Sequence, residues 1–254
     1  MNVLIVLAHP EPKSFNGAMK DAAVETLERA GHTVIVSDLY AQKFNPVAGP
    51  WDVTKQQNTE VFNLAMEQDH AAENNLFAND IQVEIDKVKA ADFLLLQFPM
   101  WWYSMPAILK GWVDRVLAYK VAYGLGDWWD NGPFQGRRAM ISITAGVSAT
   151  AFYPDGRNGD IERLLWPMTA GTLRICGYDV LPPFISYSVP WISDEGRQEI
   201  LDRYQTRLLK LETMTPLSFH TLDQFGEDSR LLPNIEPKTP MQHRGPYLKW
   251  YGND

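Results

Sequence analysis

Apolar residues fall along this chain in two rhythms, short unbroken runs and three-to-four-residue repeats, and the two alternate. Residues 2–8 form a continuous apolar run, the mark of a central parallel strand covered on both faces. After a polar loop, Met19, Ala22, Ala23 and Leu27 recur at helical spacing, which predicts a helix over 16–30 closed by Gly31. Residues 33–40 return to strand character. The first forty residues thus make a strand–helix–strand unit, whose crossover is right-handed. Further on, 81–90 predict a helix, 92–98 a third strand, 106–118 a helix and 138–144 a fourth strand. Residues 160–175 carry a helical pattern interrupted at Trp166-Pro167, where the proline should bend or break it. A fifth strand, interrupted by prolines, falls within 179–189, and 194–212 predict a last amphipathic helix.

Five strands alternating with helices specify an α/β fold, a doubly wound five-stranded parallel sheet. In the order 2-1-3-4-5, strands 1, 3 and 4 are neighbours, and a ligand crevice opens at their carboxyl ends. Three stretches fall outside this count. Residues 41–80 are a long polar insertion, 119–137 an aromatic, glycine-rich excursion, and 215–254 a tail with five prolines and little periodicity. The organisation read from this is a sheet domain over 1–214 and an irregular C-terminal arm over 215–254, wrapping the domain or a neighbour.

Charge and composition narrow the picture. A formal charge of -8 without any basic stripe argues against nucleic-acid binding. Cys176 is the only cysteine, so no disulfide framework exists. No membrane-spanning run and no signal peptide are visible, and the reading is a cytoplasmic protein. His9, His32, His70, His220 and His243 are scattered without ligand spacing, so no metal site is expected. Tyr247, Trp250 and Tyr251 in the tail are expected to anchor the arm.

The three loops at the crevice differ in chemical character. Residues 9–16 bring Lys13, Ser14 and Asn16 to a helix N-terminus, whose unpaired N–H groups and positive dipole end suit a phosphate. It lacks the Gly-x-Gly-x-x-Gly pattern, which argues against a dinucleotide held in the usual Rossmann manner; Ser14 or Asn16 acting only as a cap is the alternative. Residues 99–103 place Trp101, Trp102 and Tyr103 between Pro99, which ends a strand, and Pro106, which suits a helix start. These rings read as a platform for something flat, or as core or interface packing. Residues 144–148 offer successive backbone N–H groups on a small-residue turn, able to receive negative charge.

Six motifs, Leu7-Ala-His-Pro-Glu-Pro-Lys-Ser-Phe-Asn16, Ser37-Asp-Leu-Tyr40, Gln97-Phe-Pro-Met-Trp-Trp-Tyr103, Pro106-Ala-Ile-Leu-Lys-Gly-Trp112, Gly132-Pro-Phe134 and Ser142-Ile-Thr-Ala-Gly146, occur in order. Together they resemble the NAD(P)H:quinone oxidoreductases of the DT-diaphorase type, over residues 1 to about 212. The resemblance implies a flavodoxin-like fold holding FAD, in a homodimer with a shared active site. It also implies ping-pong, two-electron hydride transfer from NAD(P)H, a transient donor, through the flavin to a quinone. It places His9, Phe15 and Asn16 at the pyrophosphate with Ser14 nearby, and Asn63 towards the adenosine. Pro99, Met100, Trp101, Trp102 and Tyr103 would border the isoalloxazine, and Thr144, Ala145, Gly146 and Val147 its pyrimidine edge, with Arg197 a further contact. Trp102, Tyr103, Tyr123 and Leu125 would shape the substrate side, Tyr123 over the partner's flavin. Gly146, Tyr123 and Asn158 are the candidate catalytic positions. Phe152 and Asn158 stand where the family has a tyrosine and a histidine, and neither can replace the proton chemistry of that pair; the neighbouring Tyr153 is a possible substitute. An FMN-dependent azo- or nitro-reductase, a flavodoxin-like electron carrier and an ancillary regulatory subunit are the alternatives.

Overall fold

The structure is a computed structural model, described here for residues 1–239 and 241–242. Six parallel strands form one sheet: β1 (Asn2–Leu7), β2 (Thr33–Asp38), β3 (Phe93–Pro99), β4 (Arg138–Thr144), β5 (Asp179–Val180) and β6 (Phe184–Ser186). Their order is β2-β1-β3-β4-β5, with β6 also pairing on β4, so strands 1, 3 and 4 lie side by side as anticipated. The fifth strand is two. Pro182 and Pro183 have no N–H to give to the ladder, so β5 and β6 pair separately with the start and the end of β4.

Alternate residues of each strand feed opposite faces of the sheet. Val3, Ile5, Phe93 and Leu95 pack with Met19, Leu27 and Tyr204 from α1 (Phe15–Arg29) and α6 (Asp194–Leu208). Leu4, Val6, Leu94 and Leu96 pack with Ile81, Ile85, Leu109 and Trp112 from α3 (Asn79–Ala90) and α4 (Ala107–Val116). Burial on both faces is why these strands read as continuous apolar runs. On this second side the helix over Ile161–Met168, α5, carries Pro167 within it and then opens into a π-turn over Thr169–Leu173. The expected break therefore falls just beyond the proline, which supplies no N–H to the turn before it.

The 41–80 insertion contains α2 (Leu64–Asn74) and is fastened by Arg115 of α4. Arg115 is 2% exposed; its Nε donates to Asp52 at 3.0 Å and its Nη1 to the Asn45 carbonyl at 2.7 Å. Gly111 sits so close to this segment that a Cβ would lie 2.1 Å from the Pro46 oxygen. Past α6 the chain returns to the domain: Leu217 donates to the Val180 carbonyl, Phe219 meets Trp129 and Trp166, and Leu222 donates to Asp130. His243 and the tail aromatics Tyr247, Trp250 and Tyr251 lie outside the described residues. No helix among the described residues is long and apolar enough to cross a membrane.

Candidate functional site

A crevice of about 800 Å³ opens at the carboxyl ends of β1, β3 and β4. It brings together His9, Ser14, Phe15, Asn16, Pro99, Met100, Trp101, Thr144, Ala145, Gly146 and Arg197 from the expected set.

At one end lies the start of α1. The Ser14 hydroxyl accepts from the Gly17 N–H at 3.2 Å and its carbonyl from Ala18 at 2.9 Å, so the cap expected there is real. The N–H groups of Phe15 and Asn16 find no partner among the described residues. Capping therefore satisfies only part of the turn and leaves two donors at the positive end of the helix dipole. The Asn16 side chain is directed elsewhere than expected: its Nδ2 donates to Thr144 Oγ1 at 2.8 Å, beneath the crevice floor. Only its backbone is left to face a phosphate. Nearby, His9 Nδ1 lies 3.0 Å from the Glu11 N–H and 3.1 Å from the Glu11 carbonyl, so this nitrogen is held by the loop backbone and Nε2 is the ring nitrogen without a partner among the described residues.

The aromatic loop is a tight turn. Trp101 and Ser104 exchange N–H···O bonds of 3.1 and 3.0 Å, and Trp102 and Tyr103 between them have φ of 50° and 59°. That is a type I′ turn, whose two central positions favour Asn-Gly. Bulky L-residues there cost on the order of 1–3 kcal/mol each. The strain displays the rings. Trp102 is 96% exposed, while the Tyr103 hydroxyl donates to Asn158 Oδ1 at 3.2 Å and its ring meets Phe152 edge-on at 6.5 Å. Phe152 is itself buried against Tyr187, whose phenol burial pushes upward and so keeps protonated. Tyr153 is exposed and does not line the crevice.

At the other end, the 144–148 turn has its carbonyls occupied; the Ala145 N–H donates to the Ser186 carbonyl at 2.8 Å, and the next two N–H groups are open. Trp191 Nε1 donates to the Gly146 oxygen at 2.8 Å and Ser188 to the Val147 oxygen at 3.0 Å. The N–H groups of Gly146 and Val147 have no partner among the described residues. Val147 lines an adjoining groove with Ser148, Thr150, Arg157 and Trp191.

Eight expected residues do not line the crevice: Trp102, Tyr103, Val147, Phe152 and Asn158, described above, and Asn63, Tyr123 and Leu125, which stand apart from it. Asn63 caps α2, accepting from the Met66 N–H. Tyr123 lines a separate cavity of about 450 Å³ with Leu64, Val113, Leu117 and Ile175. Leu125 is 82% exposed on the excursion. Conversely, Pro190, Asp194, Gln198 and Leu201 line the crevice unannounced, and Asp194 pairs with Arg197 at 2.6 Å. The serine-capped start of the last helix was the signal that could have found them. Among the described residues no three His, Cys, Asp or Glu side chains are grouped to hold a metal ion.

A parallel sheet in this order with a ligand crevice at the reversal of strand order defines a protein of flavodoxin-like class, and the family model for the flavodoxin-like fold matches residues 1–210. The human ribosyldihydronicotinamide dehydrogenase [quinone] is 43% identical over 226 residues, 89% of this chain and 98% of that protein. NAD(P)H dehydrogenase [quinone] 1 of Rattus norvegicus is 42% identical over 217 residues, 85% of this chain and 79% of the rat protein. A solved structure from Klebsiella pneumoniae, assigned as a quinone reductase, superposes with a TM-score of 0.90 at 36% identity, covering 94% of this chain and 96% of its own. The chain belongs to the family of flavodoxin-like NAD(P)H quinone dehydrogenases.

Proposed function

We propose that the chain is a flavin-dependent NAD(P)H:quinone oxidoreductase that holds FAD in this crevice and works as a cytoplasmic homodimer. The observation that carries the reading is the division of the site: free donors at Phe15, Asn16 and Gly146 line the crevice together with the Trp101 ring, the Val147 donor opens on the adjoining groove, and the Trp102–Tyr103 turn follows directly on Trp101. That disposition fits a phosphate arm, a polar ring edge and a flat ring system. Past the start of α1 the crevice continues to Asp194, Arg197, Gln198 and Leu201, giving room for a second nucleotide beyond the phosphates, which favours FAD over FMN.

Bound there, a flavin supplies the hydride chemistry, accepting two electrons from a reduced nicotinamide and delivering them to a quinone. The chain's part is orientation and charge. The Gly146 and Val147 N–H groups would oppose negative charge on the ring edge. Trp102 and Tyr103 would order the incoming ring over the site. No titrating side chain replaces the family's histidine at Asn158, so its amide and the Tyr103 hydroxyl would fix position rather than move a proton. Tyr123, Leu125 and Asn63 would serve a neighbouring crevice or its rim across a dimer; the apolar cavity beside Tyr123 suits such a contact. Residues 215–254 would be the arm to the 1–214 domain.

Acid extraction of the purified protein followed by chromatography should release FAD, and NADH or NADPH should bleach it before a quinone restores the colour. The human relative is a ribosyldihydronicotinamide dehydrogenase, so that donor belongs in the same assay. Absence of flavin, or no bleaching by any of the three donors, would sink the reading. Sedimentation showing an active monomer would remove the dimer alone.

A further inference from the structure

Beneath the crevice floor, four side chains from four elements form one hydrogen-bonded line. The Tyr204 hydroxyl of α6 lies 3.3 Å from Gln97 Oε1 on β3. Gln97 Nε2 is 2.7 Å from Asn16 Oδ1 on α1, and Asn16 Nδ2 is 2.8 Å from Thr144 Oγ1 on β4. Gln97 and Tyr204 are fully buried, Asn16 and Thr144 nearly so. Only Asn16 and Thr144 touch the crevice.

The two amides could in principle point either way, and the choice decides what Thr144 presents. Met19 decides it. Its thioether sulfur accepts and cannot donate, and it lies 3.8 Å from Gln97 Nε2. With nitrogen turned to Met19 and Asn16, the Gln97 oxygen must face Tyr204, whose buried phenol keeps its proton. Asn16 then accepts from Gln97 and has only its NH₂ left for Thr144. Thr144 Oγ1 is an acceptor there, and its own hydrogen has no acceptor among the described residues. Were both amides reversed, Thr144 would spend that hydrogen on Asn16 and offer the crevice only lone pairs.

We infer that Tyr204, Gln97 and Met19 are positioning residues that commit the Thr144 hydroxyl to donate into the crevice, towards an acceptor atom on the edge of a bound flavin. This rests on the flavin reading given above. It differs from a merely structural network because the remote residues set the direction of a bond they do not make. Removing Tyr204's donor frees Gln97, and with it Asn16, to turn over.

The test is a double-mutant cycle with Tyr204→Phe and Thr144→Val, reading the Kd for FAD on the apoprotein and the midpoint potential of the bound flavin. Thr144→Val should weaken FAD binding about tenfold and make the potential more negative, as loss of one hydrogen bond allows. Tyr204→Phe should move both readouts the same way by about threefold in Kd, and the double variant should be no worse than Thr144→Val alone. Met19→Leu, which keeps volume but removes the acceptor, should imitate Tyr204→Phe and serves if that variant does not fold. Additive effects, or a Tyr204→Phe protein less stable but unchanged in Kd and potential, would overturn the inference. A wild-type chain that binds no FAD would overturn the flavin reading and this inference with it.

Discussion

Around Arg115 the guanidinium reaches three acceptors, Asp52, Asp80 and the Asn45 carbonyl, and lies over the Phe44 ring; a turn away, Glu84 accepts from Trp112 at 2.9 Å and pairs with Lys87. Around Gly146 the pattern is reversed: carbonyls are tied back, N–H groups stand open, and strained aromatics face solvent. Both regions are rich in polar groups, and both rest on the same sheet. Around Arg115 most bonding capacity is spent inside the chain, only the second Asp52 oxygen being left buried without a partner among the described residues, and the cluster fixes architecture; at the crevice, donors are left over where a ligand can reach them. Polarity alone does not mark a site.

The strongest way to break this contrast is Arg115→Ala. Stranding the Asp52 carboxylate, which burial already pushes above the usual carboxylate range, should cost about 3–5 kcal/mol in denaturant unfolding. FAD affinity of the folded protein should stay within about twofold, since a single order of magnitude would correspond to 1.4 kcal/mol at the crevice. Equal losses in both would show that the two regions are not separate.

Gly17→Ala probes the crevice from the other side. An added Cβ would stand 2.0 Å from the Pro12 carbonyl oxygen, pushing the 9–16 loop off the start of α1. FAD binding should weaken more than about tenfold, roughly 1.4 kcal/mol, with a smaller change in unfolding. A protein that loses stability but binds FAD normally would contradict the placement of the phosphate arm.

Replacing Trp102-Tyr103 with Asn-Gly should sharpen the comparison, because the two properties are expected to move in opposite directions. The type I′ turn should gain about 1–2 kcal/mol in stability, while KM for the quinone rises. A destabilised variant would mean that the rings support the fold. The smallest effect concerns Cys176, buried on the Arg115 side of the sheet and with its thiol pushed up to about 12 by desolvation. Thiol reagents should leave it unmodified in the native protein and react only on unfolding.

Much of this was legible in the sequence, for a physical reason. Strands covered on both faces leave unbroken apolar runs, and helices leave their period, so 138–144 is legible as a strand from the sequence; the strand-order reversal is not written in those runs and followed only from taking the flavodoxin-like order. The three loops could be named because they follow those runs directly. What escaped depends on partners far apart in the chain. Gln97 stands in Leu96-Gln97-Phe98, a polar residue inside a buried run, and that oddity was the available signal; its partners lie 81 and 107 positions away. The split of β5 from β6 was visible as prolines but not its outcome. The turn at Trp102-Tyr103 was illegible because its residues are the opposite of those such turns favour.

That last mismatch bears on how the chain changes over generations. At positions 102 and 103 random substitution by Asn, Asp or Gly relaxes the backbone, so stability alone pushes both positions away from tryptophan and tyrosine. Rings at these two positions work against folding stability, and the turn's two hydrogen bonds are made by main-chain atoms of Trp101 and Ser104 rather than by the side chains at its tip. Acceptor preference can therefore diverge at this tip, one substitution at a time, without the sheet beneath having to follow.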